Sequence, residues 1–204
     1  MKYEAATERR KRALADALKN IMKTRPFSKI TVAELVKSCG VNRKTFYYHF
    51  EDMNALLKWT FEQEAIEVVK NFDLITENED AFRFVMDYIE QNDLILNNLC
   101  HSMGQNELKR FFFNDFYEIV HSIVDKIETI EHLSVPDDYK NFVCLFYTEA
   151  IAGVLLDWIT TEKPRDREQT IQYISTTLQV SISACMKNYE STKEQDFEPK
   201  VSPP

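Results

Sequence analysis

Residues 30–57 read ITVAELVKSCGVNRKTFYYHFEDMNALL, and this stretch decides the predicted fold of the amino-terminal part of the chain. Leu35 and Val36 belong to an apolar face with helical spacing, and Thr31 stands where a residue caps the start of that helix. Gly40 follows and supplies the left-handed backbone conformation that a tight turn between two helices needs. The segment therefore predicts two short helices joined by a glycine turn.

The second helix of this pair is dense in side chains that bind phosphates and base edges. Asn42 is placed to cap its start. The helix then carries Arg43, Lys44, Thr45, Tyr47, Tyr48 and His49. In a helix-turn-helix the second helix enters the major groove, where such groups contact DNA. The pattern predicts duplex DNA as the partner of this segment.

The charge of the chain divides sharply at the end of this motif. The whole chain of 204 residues has a net charge of -8. Residues 1–50 nevertheless carry 12 Lys and Arg against 4 Asp and Glu, whereas the remaining residues carry 13 against 29. A basic module on an acidic body points one end of the molecule at a polyanion. The division supports the DNA-binding prediction.

Several other classes of protein lack support in the sequence. The cysteines form no CxxC pair, which favours reduced, partly buried thiols over disulfides or a zinc site. The 4 histidines have no metal-ligand spacing, and no GxSxG, HExxH or glycine-rich motif occurs. We therefore expect no enzyme activity, no metal and no cofactor.

The sequence also does not predict a membrane protein. No amino-terminal stretch resembles a signal peptide, and no uninterrupted apolar run approaches about 20 residues. We expect a soluble, cytoplasmic protein that does not enter a membrane.

Apolar periodicity and few glycines predict helices along the whole chain, with a basic first helix over 7–24. Arg9, Arg10, Lys11 and Arg12 near its start are open to two interpretations, phosphate contact or a solvated face. Asp52 should cap a long fourth helix that reaches about Phe72. Further helices are predicted at about 79–91, 93–102, 105–130, 137–161 and 166–189. The polar residues 190–204 predict a flexible tail.

The last two predicted helices suggest a four-helix interface between two subunits. Residues 142–159 are apolar on nearly all sides, so this helix needs cover on more than one face. The final helix repeats apolar residues every three or four positions, as a helix–helix seam does. The predicted interface residues are Phe146, Ile151, Gly153, Leu155, Trp158, Ile174, Leu178 and Ile182. A monomer with a tightly packed core is the alternative.

Aromatic and methionine residues in the body also allow an apolar ligand pocket. Three consecutive phenylalanines, Phe111–Phe113, cannot all face one way because successive helical residues are about 100° apart. Core packing explains most of them, and a cavity is the alternative for the rest. The candidate pocket residues are Met86, Met103, Phe112 and Phe116.

The motif over residues 7–60 resembles the TetR family of bacterial transcriptional regulators. The resemblance depends on the basic first helix, on ITVAELVKSCGV, and on NRKTFYYHF followed by a capping acid and a long helix. The aromatic, acidic body resembles regulators linked to dihydroxyacetone kinase operons. The implied fold is all-α, with a three-helix DNA-binding domain (1–52), a helical effector-binding and dimerisation domain (53–189) that the fourth helix joins to it, and the tail (190–204).

The resemblance also implies roles for individual side chains. Arg43 and Lys44 lie where base edges are reached, and Thr45 serves a base or a phosphate. The implied phosphate ligands are Tyr47 and His49, with Thr31 at the start of the second helix, whereas Tyr48 contacts either group. Asn42 is a further DNA-binding candidate. Many relatives have a lysine directly after the capping acid, and this chain has Met53 there. Lys58 or Lys29 is a candidate replacement for that phosphate contact.

Two functional hypotheses follow from the residues and the resemblance. The first is a homodimeric repressor that leaves a palindromic operator when a small-molecule effector binds. The alternative keeps the DNA-binding head but makes the chain a regulator or activator whose body docks a sensor protein. A helical scaffold without DNA binding would leave the basic recognition helix unexplained.

Overall fold

A computed structural model describes residues 2–161 and 166–196, and within them the side chains of 5–161 and 166–192. The described residues are helical and contain no strand, which confirms the all-α prediction. The helices are α1 (Lys2–Met22), α2 (Val32–Ser38), α3 (Arg43–His49), α4 (Met53–Phe61), α5 (Glu67–Lys70), α6 (Asn78–Gln91), α7 (Asp93–Met103), α8 (Gln105–Glu131), α9 (Asp137–Thr160) and α10 (Arg167–Asp196). A 3₁₀ turn (Phe27–Lys29) precedes α2, and a π turn (Glu62–Ile66) joins α4 to α5.

The described chain forms two compact units. The first contains residues 2–71, 84–112 and 159–161, and the second contains 72–83, 113–158 and 166–196. The unit with the helix-turn-helix is larger than the predicted domain of residues 1–52, because α7 packs on α1 and on the 3₁₀ turn. The boundary at residue 52 stays a prediction.

Side-chain caps set the helix starts in the first unit, as predicted. The Thr31 side chain accepts a hydrogen bond from Glu34 N at 3.3 Å, and the Asn42 side chain accepts one from Thr45 N at 2.8 Å. Asp52 does the same for Ala55 N at 2.8 Å. Each cap satisfies an amide that the helix itself leaves unpaired. The apolar faces of these helices then meet in a core that includes Leu14, Leu18, Met22, Leu35, Phe46, Leu56 and Leu57.

The predicted glycine turn has the geometry of a Schellman motif. Gly40 has φ +66°, and Val41 N donates to the carbonyl oxygen of Val36 at 3.0 Å. This hydrogen bond spans six residues and closes the end of α2. The left-handed residue sets the direction in which the chain leaves α2 and enters α3.

We expect Gly40→Ala to lower the free energy of unfolding by about 1–2 kcal/mol. A side chain is strained at this φ, although a Cβ at Gly40 would meet no atom within 4 Å. Backbone strain alone should therefore set the cost. Urea denaturation of the two proteins measures it. Gly153→Ala is the matched control, because Gly153 lies within a helix in open space and alanine there should not destabilise the subunit. Equal destabilisation by both substitutions would contradict this account.

The predicted long fourth helix is interrupted by the π turn and ends at Lys70. Its buried positions step from Phe61 to Ile66 and then to Val69. A regular α-helix would continue the inward stripe three or four residues after Phe61. The π turn accommodates one extra residue, so that Ile66 and Val69 face inward. Simple periodicity does not predict such a turn.

The second unit is built around α8, α9 and α10. Its core contains Val120, Ile123, Val124, Ile127, Val135, Val143, Cys144, Tyr147, Leu178, Ile182 and Met186. Tyr139 stacks on Tyr189 with ring centroids 3.9 Å apart, and Tyr147 donates a hydrogen bond to Ser181 Oγ at 2.7 Å. Positions increase along α9 as they decrease along α10, so the two helices run antiparallel.

Three of the predicted interface residues, Leu155, Leu178 and Ile182, are buried within the subunit, and the interface stays a prediction. Helical spacing identifies a packing seam but does not say whether the other helix belongs to the same chain. Among the remaining candidates Phe146 and Gly153 are exposed, and Ile151, Trp158 and Ile174 are half-buried.

The exposed apolar side chains of α9 and α10 lie at other positions of the same helices. Phe142, Leu145 and Phe146 are 45–59% exposed on α9, and Tyr173 and Val180 are 61% and 63% exposed on α10. Their i, i+3, i+4 and i, i+7 spacings place each set on one helix face. We call these five residues the exposed apolar face of the second unit.

The end of α10 also differs from the prediction. The helix continues to Asp196 instead of ending near residue 189. Residues 190–196 contain lysine, glutamate and glutamine and no glycine or proline, so their polar composition is compatible with a helix. The rest of the predicted tail lies outside the described residues.

Helix α9 is long and apolar enough to cross a membrane by length and composition, although only 33% of its most apolar window is buried. No other helix of the described residues meets these criteria. Val143, Cys144 and Tyr147 of α9 lie in the core of the second unit. Packing in the subunit accounts for these residues, and a helix–helix interface would account for the exposed ones.

Candidate DNA-binding surface

Helix α3 has one face in the core and one face in solvent. Phe46 is fully buried and Phe50, directly after the helix, is 6% exposed. Asn42, Arg43 and Lys44 are exposed at the start of the helix. Tyr47 and Tyr48 are 58% and 68% exposed, an unusual position for large aromatic side chains. The core anchors the helix while its donors and cations point outward.

Asn42 and Thr45 are joined by two hydrogen bonds at the start of α3. The Asn42 side-chain oxygen accepts from Thr45 N at 2.8 Å and from the Thr45 hydroxyl at 3.1 Å. This arrangement leaves the amide NH₂ of Asn42 pointing away from Thr45, as a donor. The Thr45 hydroxyl uses its only proton in the hydrogen bond to Asn42, so toward any other group it can act only as an acceptor.

His49 lies at the end of α3, beside the basic start of α1. Burial lowers the pKa of its imidazole, and the positive charges of Lys11 and Arg10 lower it further. Its Nε2 atom is buried and has no hydrogen-bond partner among the described residues. These surroundings disfavour the imidazolium form, and the phosphate contact of His49 stays a prediction.

The basic start of α1 lies close to the end of α3. Lys11 is held by Glu8 at 3.1 Å and lies 5.3 Å from the centroid of the Trp59 ring. Arg9, Arg10 and Arg12 are exposed. Lys11 is thus an internal contact, whereas the three arginines remain available to phosphates. Trp59 was not predicted to belong to this surface, and nothing in its local sequence pattern indicates it.

The two candidate replacements for the missing lysine at position 53 differ in their surroundings. Lys58 lies 3.9 Å from Glu62, one turn further along the helix. Lys29 is exposed and lies two residues before the cap of α2. Arg25 supports this loop, because it pairs with Glu34 and donates to the carbonyl oxygen of Lys29 at 3.0 Å. The replacement of the missing lysine contact by Lys29 or Lys58 stays a prediction.

The candidate pocket residues are distributed over both units. Met86 is fully buried in the first unit, and Met103 and Phe112 are half-buried there. Phe112 packs edge-on against Phe61 with ring centroids 5.1 Å apart. Phe116 is half-buried in the second unit. Core packing accounts for Met86, and the ligand pocket stays a prediction.

Two family models match different parts of the chain. A family model described as bacterial regulatory proteins of the tetR family matches residues 14–58. A second model, described as a transcriptional regulator C-terminal region, matches residues 76–180. The first match contains all of the helix-turn-helix, and the second covers half of the chain.

Individual relatives are similar over most of the chain at low identity. The HTH-type dhaKLM operon transcriptional activator DhaS of Lactococcus lactis subsp. lactis (strain IL1403) is 20% identical over 141 residues, which are 69% of this chain and 74% of that protein. A solved structure of a dihydroxyacetone kinase operon activator DhaS has a TM-score of 0.64 and 20% identity, and the match covers 88% of this chain and 97% of that one.

A second solved structure, of a TetR transcriptional regulator from Streptococcus agalactiae 2603V, has a TM-score of 0.56 and 22% identity over 87% of this chain and 98% of that one. At these identities the structural matches show a shared fold. The two family models cover both the helix-turn-helix and the body. The chain therefore belongs to the TetR family of bacterial transcriptional regulators.

Proposed function

We propose that this regulator is a homodimer that binds a palindromic operator in the cytoplasm, with one α3 in each of two major grooves. The observation that carries the proposal is the outward face of α3. Arg43, Lys44, Tyr47 and Tyr48 are exposed there, while Phe46 is locked in the core. Paired recognition helices about 34–36 Å apart match successive major grooves, and the two-fold symmetry of a dimer makes its operator palindromic.

In this proposal residues 1–52 act as the DNA-binding domain, and phosphates and bases are bound by different side chains. Arg43 and Lys44 contact base edges. Tyr47, the amide of Asn42 and the hydroxyl of Thr31 bind phosphates, which fix the position of the helix without reading the sequence. The exposed arginines at the start of α1 extend the positive surface.

Binding to the DNA upstream of the protein's own gene, measured across a salt series, tests the proposal. We expect tight binding to one palindromic segment, two chains or a multiple per site, and a steep loss of affinity with salt. Weak binding that is equal on all sequences would contradict it.

The dimer is proposed to form through the exposed apolar face of the second unit. Phe142, Leu145 and Phe146 of α9 remain in water in the isolated subunit. Exposed aromatic side chains grouped on one helix are typical of an interface. The antiparallel partner α10 adds Tyr173 and Val180. Two helices from each subunit would bury both sets.

Two candidate functions differ in the signal that controls DNA binding. A small molecule in the body that prefers one conformation would release a repressor from its operator. The second candidate is an activator whose body docks a sensor protein. The name operon activator, given to the relative DhaS and to a solved structure of a DhaS, supports the activator part of it. Transcription from the bound promoter in the presence and absence of the protein distinguishes a repressor from an activator.

We expect Thr45→Val to weaken operator binding by about fivefold or more while leaving non-specific DNA binding unchanged. The reason is that the hydroxyl already donates its proton to Asn42, so it can only accept a further hydrogen bond. An ionised phosphate has no proton to donate. A base amino group on adenine or cytosine is the matching donor. A net hydrogen bond contributes about 0.5–1.5 kcal/mol, once per half-site.

Fluorescence anisotropy on a panel of single-base operator variants measures the effect of Thr45→Val. The control is Thr45→Ser, which keeps the hydroxyl and should retain the wild-type preference. An equal loss on every sequence would show that the hydroxyl binds phosphate instead.

A further inference from the structure

A carboxylate in the π turn connects α1 to α6 within the first unit. Glu64 Oε2 lies 2.5 Å from Lys19 Nζ and accepts a hydrogen bond from the Tyr88 hydroxyl at 2.8 Å. The ammonium of Lys19 also lies 5.8 Å from the centroid of the Tyr88 ring. We call Lys19, Glu64 and Tyr88 the clamp. Its three members come from three helical segments that are distant in sequence.

Tyr88 is a permanent donor to the clamp. Burial raises the pKa of its phenol, and the neighbouring Glu64 charge raises it further. The hydroxyl therefore keeps its proton at any physiological pH. The ring packs against Phe61 and Phe84, with centroids 6.2 and 6.5 Å apart. Apolar contacts with two aromatic rings thus help to fix the position of the hydroxyl that donates to Glu64.

The clamp lies where the π turn sets the register of the following helix. One residue more or less in a helix rotates everything beyond it by about 100° and shifts it by about 1.5 Å. Phe61 before the turn and Ile66 and Val69 after it are all buried. The turn and a regular α-helical register therefore differ by a discrete step. Glu64, in the middle of the turn, contacts both of its partners in the π register.

We propose that Glu64 and Tyr88 are positioning residues for DNA binding, which hold α1 and α4 in the arrangement that presents α3 to the operator. The inference rests on the proposed function of α3. The link to α3 runs through α2, because α1 packs against α2 and α4, and α2 packs against α3. Lys11 and Trp59, beside the end of α3, belong to the same two helices, α1 and α4. Release of the clamp is then a route by which a signal in the body reduces DNA binding.

Removal of one hydroxyl tests the proposal with little change in shape. Tyr88→Phe keeps the ring and its apolar contacts but removes the donor to Glu64. We expect operator affinity to fall about 5- to 20-fold, while circular dichroism shows an unchanged helix content. Affinity for non-specific DNA should stay within about twofold, because the phosphate-binding charges are unaltered. An ion pair with a merely stabilising role would not change this ratio.

Tyr117→Phe is the matched control. Tyr117 donates a hydrogen bond to Asn141 at 3.0 Å in the second unit, so the same chemical group is lost away from the clamp. It should bind the operator as the wild type does. Glu64→Gln should resemble Tyr88→Phe, and the double variant should be no weaker than Glu64→Gln alone, because both substitutions break one unit.

Hydrogen exchange provides a second readout that does not depend on DNA. In Tyr88→Phe, amides of residues 62–70 should exchange faster, whereas those of α8 to α10 should be unchanged. If the wild type binds the operator tightly and Tyr88→Phe binds it equally well, the positioning role is refuted and the proposed function stands. If the wild type binds no DNA segment specifically, the proposed function fails and the positioning role falls with it.

Discussion

Replacing Arg43 by alanine is expected to lower operator affinity by about 30-fold or more and to relax the preference at one base pair of each half-site. Arg43 is exposed at the start of α3, directly after the Asn42 cap that orients the helix. A guanidinium bonded to both acceptors of a guanine contributes about 1–3 kcal/mol of discrimination, and a dimer makes this contact twice. The low end of that range already corresponds to about 30-fold.

Two further variants separate base contact from charge. Arg9→Ala removes the same charge from α1, and it should weaken all DNA sequences alike and reduce the salt dependence. Tyr47→Phe removes one exposed hydroxyl of α3 and should also weaken all sites similarly. Anisotropy titrations on the operator variants distinguish these patterns. If Arg43→Ala and Tyr47→Phe both bound the operator as the wild type does, the assignment of α3 as the recognition helix would be wrong.

The helix-turn-helix was predictable because its signals are local. Thr31, Asn42 and Asp52 cap helices that begin at the next residue, and Gly40 has the left-handed conformation that the sequence required. A cap and a turn involve atoms only a few residues apart, so the residue types carry the information. The alternation of buried Phe46 with exposed Tyr47 follows from the same local geometry.

The state of individual side chains in the DNA-binding surface was less predictable. His49 was predicted to contact phosphate, and in the structure burial and the nearby charges of Lys11 and Arg10 lower the pKa of its imidazole. Those neighbours are on α1, far away in the sequence. Thr45 was open to base or phosphate contact until its hydrogen bond to Asn42 fixed the direction of its proton.

The body of the protein shows a different limit of sequence analysis. Leu178 and Ile182 form a regular helical seam, and the structure places them in the core of their own subunit. Glu64 in the π turn has partners on α1 and α6, which no local pattern reveals. Periodicity indicates that a helix face is packed against another element, whereas tertiary structure determines which element that is.

Phe146→Glu should convert the proposed dimer into a folded monomer. Phe146 is 57% exposed in the subunit, so a carboxylate there costs the isolated fold little. In a dimer interface the same carboxylate would be buried without a partner, which costs several kcal/mol. Sedimentation velocity at micromolar protein should show a shift from dimer to monomer, and circular dichroism should show an unchanged helix content.

The loss of the dimer should in turn lower operator affinity by about 100-fold or more. A dimer holds its second recognition helix at a high effective concentration near the second half-site, and a monomer loses that gain. Leu94→Glu is the matched control, because Leu94 is 58% exposed on α7 in the other unit and should affect neither measurement. A Phe146→Glu protein that remained dimeric would place the interface elsewhere. A wild-type monomer would refute the homodimer and leave the exposed apolar face of α9 for a sensor protein, because aromatic side chains grouped on one helix still require a partner.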